Sequence, residues 1–164
     1  MVGINTFEGG LSGKGRKFAV VAARFNEKVV DAMLEGALSA LAEAGVEQED
    51  IQVLRVPGCF ELPLAVRRVA EHAVFLEQNL DAVIALGAVI RGGTPHFDFV
   101  SQGCTNGLMQ VTLELDIPVA FGVLTCDTEE QALERAGFGA HGNKGEDAAN
   151  TVLEMVNVLG AIEG

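Results

Sequence analysis

Residues that could do chemistry gather in a few short segments of the chain. The segments are residues 24–26, 57–63 and 87–98, together with Arg135 and residues 142–145. His96, in the third segment, is a candidate for proton transfer, because the histidine side chain titrates near neutral pH. An isolated loop histidine is more often only solvated or hydrogen-bonded. A catalytic assignment therefore depends on what surrounds His96.

The first three segments each follow a predicted strand. Apolar runs at 18–23, 51–56, 82–86 and 118–124 are typical of strands in a parallel sheet that is covered on both faces. Apolar residues at helical spacing lie between the runs, with one helix starting near Pro63 and another opening with the capping pattern at 128–131. This alternation predicts an α/β layered sandwich, in which ligands bind beyond the carboxyl ends of the strands.

Length and charge narrow the function classes. The 164 residues fit one domain, predicted at 18–164, and the glycine-rich residues 1–17 predict an N-terminal arm or short edge strand. The net charge is −12, Lys and Arg form no cluster, and Trp and Tyr are absent. We therefore expect no nucleic-acid partner and no membrane partner. The chain is nonetheless 49% hydrophobic, so it must fold and bury much apolar surface, some of it against other copies of itself.

Familiar cofactor and metal signatures do not occur. The sequence contains neither GxGxxG nor GxxxxGK[ST], and its three histidines lack metal-ligand spacing. The three cysteines are odd in number and form no CxxC pair, which favours reduced thiols in a cytoplasmic protein. The N-terminal residues contain no basic stretch followed by an apolar run, so we expect no signal peptide. We predict a cytoplasmic protein without a cofactor or a metal.

Six sequence blocks carry a family resemblance over nearly the whole chain. They are ARFN (23–26), VPGCFELP (56–63), ALGAVIRGGTPHFDFV (85–100), PVAFGVLT (118–125), EQALERAG (130–137) and GNKGEDAA (142–149). In this order they resemble the lumazine synthase family. The resemblance implies a flavodoxin-like three-layer sandwich with a four-stranded parallel sheet. It also implies condensation of 5-amino-6-(D-ribitylamino)uracil with 3,4-dihydroxy-2-butanone 4-phosphate to 6,7-dimethyl-8-ribityllumazine, with release of phosphate and water.

The resemblance also implies roles for individual residues. His96 would be catalytic. The ribitylaminouracil would contact Phe25, Asn26, Cys59, Phe60, Glu61, Ala88, Val89, Ile90 and Phe121, and the phosphate would contact Gly93, Thr94, Arg135 and Lys144. Structural alternatives stay open for the charged residues: Arg135 could pair with Glu134 or Glu130, and Lys144 with Asp147 or Glu146. Arg91 could be a structural partner for a carbonyl or an acidic side chain.

Assembly is a further implication of the resemblance. It implies a homopentamer with active sites at subunit interfaces, and it leaves open a 60-mer of twelve pentamers and an association with riboflavin synthase. The segment from Arg135 to Lys144 is about one residue longer than in family members that form closed shells. A non-catalytic flavin- or lumazine-binding shell protein, which would share the pocket but lack turnover, is the alternative to an enzyme.

Overall fold

Four parallel strands form one sheet in this computed structural model, which describes residues 3–75 and 80–164. The strands are β1 (Phe18–Ala23), β2 (Ile51–Val56), β3 (Ala82–Ile90) and β4 (Val119–Cys126). Their order in the sheet is β2-β1-β3-β4, so β2 and β4 are the edge strands. This topology and the helices on both faces confirm the predicted flavodoxin-like α/β fold.

Helices connect the strands and cover the sheet. They are α1 (Glu27–Glu43), α2 (Leu62–Phe75), α3 (His96–Leu115), α4 (Glu129–Glu134) and α5 (Lys144–Glu163), with a short 3-10 helix (Cys59–Glu61) before α2. Thr128 caps α4 by accepting a hydrogen bond from the Gln131 amide, as the capping pattern predicts. None of the helices in the described ranges is long and apolar enough to cross a membrane.

Every residue of β1 is buried, and alternate residues pack into two separate hydrophobic cores on the two faces of the sheet. On one face, Phe18 packs in a cluster with Met33 of α1 and Leu153 of α5. On the other face, Val21 packs in a cluster with Leu62 of α2, and α3 completes that layer. Because both faces of β1 are covered, this strand contains no polar side chain.

The N-terminal segment lies along α5 without regular secondary structure. Residues 4–13 belong to no helix or strand, and residues 1 and 2 of the predicted arm lie outside the described residues. The Asn157 side chain donates to the carbonyl of Gly10 at 2.8 Å and to that of Ser12 at 2.9 Å. One amide side chain of α5 thus fixes the main chain just before the domain begins.

The boundary after the third strand differs from its prediction. The sequence predicted a strand at 82–86 that ends in Gly87 and leads into a loop at 91–96, but β3 continues to Ile90 because residues 87–90 pair with residues 123–126 of β4. The loop is only 91–95, and His96 is the first residue of α3 rather than a loop residue. Gly87 was misread as the end of a strand because glycine usually interrupts strands.

The crossing of α1 and α5 depends on a glycine. A Cβ at Gly145 would overlap the main-chain carbonyl of Met33. Gly160, in the same helix, has only the Arg16 guanidinium within reach of an added Cβ, at 3.6 Å. The two glycines of α5 therefore offer a matched pair for testing close helix packing.

We predict that Gly145→Ala lowers the free energy of unfolding by about 2 kcal/mol, because the added methyl group forces the two helices apart. Gly160→Ala should raise it by about 0.5–1 kcal/mol, because alanine favours a helix more than glycine does. Urea unfolding midpoints of the two variants and the parent protein measure both effects. Equal stability of Gly145→Ala and the parent would contradict the close packing.

Candidate active site

The carboxyl ends of β1, β2 and β3 enclose a cleft of about 630 Å³. Most of the residues predicted from the sequence line it, namely Phe25, Asn26, Cys59, Phe60, Glu61, Ala88, Val89, Ile90, Thr94 and His96. Phe97, Phe99 and Val100 at the start of α3 also line this cleft. The cleft is therefore a surface of aromatic and apolar side chains with a few polar groups at its edge, as is usual for small-molecule sites.

A tight turn after β1 presents an aromatic ring to the cleft. Asn26 has left-handed backbone angles (φ 61°, ψ 45°), a conformation that asparagine tolerates better than most residues. Its side-chain amide donates to the carbonyl of Ala88 at 2.8 Å, and the Phe25 amide donates to the carbonyl of Pro57 at 3.0 Å. The turn is thus bonded to the ends of both neighbouring strands. The Phe25 side chain is left 72% exposed at the cleft.

The segment after β2 contributes a buried thiol and an exposed ring. Burial raises the pKa of the Cys59 thiol to about 12, with a smaller contribution from nearby Cys104, although the Ala88 amide bonded to it acts in the opposite direction. At neutral pH the thiol is therefore protonated and is no nucleophile. A Cβ at Gly87 would collide with the Cys59 sulfur, so a glycine is needed there. The Phe60 side chain is 63% exposed.

The carboxylate of Glu61 lies close to the chain that precedes it. A Cβ at Gly58 would approach the Glu61 Oε2 atom to 3.1 Å, so the side chain folds back toward residue 58. The Glu61 amide donates to the Gly58 carbonyl at 3.3 Å, and Glu61 ends the 3-10 helix immediately before α2. The carboxylate nevertheless lines the cleft, where it can accept hydrogen bonds from hydroxyl or ring N–H groups.

The end of β3 supplies main-chain groups to the same cleft. The Ala88 carbonyl accepts from Asn26, and its amide bonds to the Cys59 sulfur, so both groups point toward the side where β1 has ended. Main-chain groups in a strand alternate between its two sides, so those of Ile90 point the same way as those of Ala88. Since Ala88 is engaged by the protein, Ile90 is the better placed to meet a ligand.

His96 stands at the positive end of a 20-residue helix. Its side chain is exposed and lines the cleft, and its amide lies 3.5 Å from the Thr94 hydroxyl oxygen. Gly93 belongs to the exposed loop between β3 and α3, and nothing lies within 4 Å of a Cβ placed on it. The dipole at a helix N-terminus favours an anion there.

The remaining predicted residues lie in a different cleft. Phe121, Arg135 and Lys144 line a groove of about 480 Å³ along β4, together with residues of α5. The Lys144 amide donates to the Arg135 carbonyl at 2.8 Å, which brings the two cations together across the connection between α4 and α5. The chain therefore carries two incomplete sets of predicted site residues rather than one.

The two cations of this groove have different partners. Lys144 forms an ion pair with Asp147, with 2.6 Å between Nζ and Oδ2. Arg135 donates to the main-chain carbonyl of Gln131 at 2.9 Å, and its nearest carboxylate oxygen, on Glu134, is 3.9 Å away. Each observed pair was one of the alternatives that the sequence left open. Arg135 keeps more of its donors for a ligand.

Phe97 and Phe99 are cleft residues that the sequence reasoning missed. Phe97 follows His96 directly and Phe99 lies two residues beyond Phe97, but no start was predicted for the helix after the loop, so their side chains could not be placed. Arg91, for which the sequence left open a structural pairing with a carbonyl or an acidic side chain, is bonded to two acidic side chains, Asp127 and Asp98. Those bonds raise the pKa of Arg91, with the Asp127 hydrogen bond as the largest cause.

Within residues 3–75 and 80–164, no cluster of three or more His, Cys, Asp or Glu side chains could hold a metal ion.

A comparison with known protein families identifies the family of this chain. Residues 15–160 match the family model described as 6,7-dimethyl-8-ribityllumazine synthase, which covers nearly the whole chain. The matched range includes the first cleft, the groove along β4 and the entire sheet. Enzymes of this family are transferases of riboflavin biosynthesis that make 6,7-dimethyl-8-ribityllumazine. The chain therefore belongs to the 6,7-dimethyl-8-ribityllumazine synthase family.

Proposed function

We propose that the protein condenses 5-amino-6-(D-ribitylamino)uracil with 3,4-dihydroxy-2-butanone 4-phosphate to 6,7-dimethyl-8-ribityllumazine. The observation that carries the proposal is the first cleft, where exposed aromatic rings, a free strand end and the N-terminus of α3 with His96 meet. A flat ring and a phosphate can be held there side by side. The three free thiols suit a reducing compartment, so we assign the reaction to the cytoplasm.

The pyrimidine would bind in the apolar part of the cleft. The exposed ring of Phe25 offers a stacking face, and the main chain of Ile90 offers a donor and an acceptor to the ring edge. Glu61 would accept hydrogen bonds from ribityl hydroxyls. Asn26 already bonds to Ala88, so its first contribution is to hold this pocket in shape.

The phosphate would lie at the loop before α3. The start of a long helix, the open main chain at Gly93 and the hydroxyl of Thr94 together provide donors for a phosphate. Arg135 would add a guanidinium fork from the groove along β4. This placement puts the leaving group next to the imidazole of His96.

The chemistry is a sequence of proton transfers. The 5-amino group attacks the ketone, and the carbinolamine loses water to give an imine. A proton then leaves C3 as phosphate leaves C4, and the resulting enol loses its hydroxyl proton and takes up a proton at C4 to become a ketone at C3. The ribitylamino nitrogen attacks the carbonyl generated at C3, and loss of a second water closes the ring. His96 would move the protons, and holding both substrates together would supply much of the rate.

A second copy would complete each site. The first cleft contains His96 but not Arg135, while the groove along β4 contains Arg135 and Phe121 but not His96. Large apolar side chains such as Phe25, Phe60 and Phe121 are exposed in the separate chain, and contact with a neighbour would bury them. We therefore propose a homopentamer in which the groove of one copy faces the first cleft of the next.

We predict that His96→Ala lowers kcat at least about tenfold and leaves KM for the pyrimidine within about twofold, because proton transfer is impaired while ring binding is not. The variant should keep measurable activity, because positioning of the two substrates is unchanged. Lumazine fluorescence under saturating substrates measures the rate. His72→Ala, on α2 and outside both clefts, is the control and should behave like the parent.

A wild-type rate and pH profile in His96→Ala would remove this residue from the mechanism. Absence of product above the uncatalysed background in the parent protein would overturn the enzymatic proposal itself. Tight lumazine or flavin binding without turnover would then identify the non-catalytic shell protein as the correct alternative.

Mixed oligomers of His96→Ala and Arg135→Ala test whether sites are shared between copies. If each site combines one copy's first cleft with its neighbour's groove, random mixing restores the wild-type pair in about a quarter of the sites. Co-expressed subunits should therefore exceed the mean activity of the two separate variants. Activity equal to that mean would show that each chain uses its own Arg135.

Sedimentation in an analytical ultracentrifuge measures the assembly directly. We expect a smallest stable species of about five times the chain mass of 17.2 kDa. A species of twelve such pentamers would add the shell, and co-sedimentation with a riboflavin synthase would add that partner. A single species at the mass of one chain would contradict the shared-site proposal.

A further inference from the structure

Arg91 closes the base of the loop that leads to His96. Its Nε atom donates to Oδ1 of Asp127, just beyond β4, at 2.8 Å. Its Nη1 atom lies 3.4 Å from Oδ1 of Asp98, and its guanidinium carbon lies 4.2 Å from the centroid of the Phe97 ring. A side chain before the loop is thereby joined to two side chains immediately after His96. One further bond, from the Arg91 amide to the Cys126 carbonyl at 2.9 Å, continues the β3–β4 ladder up to this point.

The loop itself has little packing to hold it. Residues 92–96 are all exposed, and an added Cβ at Gly92 or Gly93 would meet no atom within 4 Å. The contact between the His96 amide and the Thr94 hydroxyl is long, at 3.5 Å. Two consecutive glycines also give the chain much conformational freedom. The position of His96 therefore depends strongly on how the two ends of the loop are tied.

An arginine side chain is suited to hold the two ends of the loop together. Its planar fork can serve two carboxylates in different directions while its face packs on an aromatic ring, which a lysine ammonium cannot reproduce. A single exposed ion pair contributes little, but here two carboxylates and one ring restrain the same group. The shorter bond goes to Asp127, so the end of β4 is the fixed point and the start of α3 is held toward it.

We propose that Arg91 is a positioning residue for the condensation, which holds the loop 91–95 closed so that His96 and the phosphate-facing amides keep their places in the cleft. This inference rests on the proposed function. Arg91 itself does not line the cleft, so its effect passes through the loop. The restraint matters for the reaction because a displacement of a catalytic group by about 1 Å is enough to slow a reaction severely.

Arg67 on α2 provides a matched control. Its Nε donates to Glu71 and its Nη1 to Glu114, each at 2.8 Å, so it also joins two carboxylates. The Arg67 and Arg91 side chains are both 44% exposed. Arg67 lies away from both clefts. The lost charge and the lost bonds to two carboxylates are therefore similar for the two residues, whereas Arg91 also packs on the Phe97 ring and borders the loop.

The test compares Arg91→Ala and Arg91→Lys with Arg67→Ala and Arg67→Lys. We expect kcat of Arg91→Ala to fall about tenfold while KM for the pyrimidine stays within about twofold, because the ring pocket is intact and the proton-transfer group is displaced. Arg91→Lys should recover only part of kcat, because it restores the charge but not the fork. Both Arg67 variants should keep parental kinetics and a parental pH profile.

Hydrogen exchange gives a readout that does not depend on turnover. Amides of residues 92–98 should exchange faster in Arg91→Ala than in the parent, whereas Arg67→Ala should leave them unchanged. Parental kcat and parental exchange in Arg91→Ala would overturn the inference, as would an equal loss of kcat in Arg67→Ala. A parent protein without activity would overturn the proposed function instead, and the exchange data would still decide whether Arg91 restrains the loop.

Discussion

β3 continues four residues beyond the point where it pairs with β1, and these residues pair with β4. Leu86 is the last residue of β3 opposite β1, while residues 87–90 remain in register with residues 123–126. One side of this extension is therefore free of a neighbouring strand. The turn at Asn26 and the thiol of Cys59 occupy the free side at Ala88, and the cleft lies beyond them. Loss of this four-residue extension of β3 would remove the base of the cleft.

The same strand arrangement separates the two halves of the proposed site. β4 is an edge strand, so the groove that contains Phe121 and Arg135 lies at the rim of the sheet. The first cleft opens above β1, β2 and β3, toward the opposite edge. Residues separated in this way on one chain can act together when copies are arranged head to tail, since a heterologous contact then repeats around a closed ring. The exposed aromatic residues at both places are consistent with such contacts.

Sequence reasoning predicted the sheet well because continuous apolar runs and helical spacing reflect burial directly, as the complete burial of β1 shows. It failed where local signals mislead. A glycine such as Gly87 usually marks the end of a strand, but here it lies within β3 and allows the Cys59 sulfur to pack against the strand. The start of α3 at His96 was missed, and with it the placement of Phe97 in the cleft. Arg91 pairs with Asp127, which lies 36 residues further along the chain, and a local sequence pattern cannot predict such a contact.

The strongly negative charge of the chain bears on which cation can receive a phosphate. With 23 acidic against 11 basic residues, most cations will find a carboxylate, and Lys144 has done so with Asp147. Arg135 instead donates to a neutral carbonyl, and a carboxylate 3.9 Å away across an exposed surface neutralises it only weakly. A phosphate would have to displace Asp147 from Lys144, whereas it could approach Arg135 without breaking an ion pair at close range. Of the two cations in the groove, Arg135 is therefore the one that an acidic chain has left available for an anionic substrate.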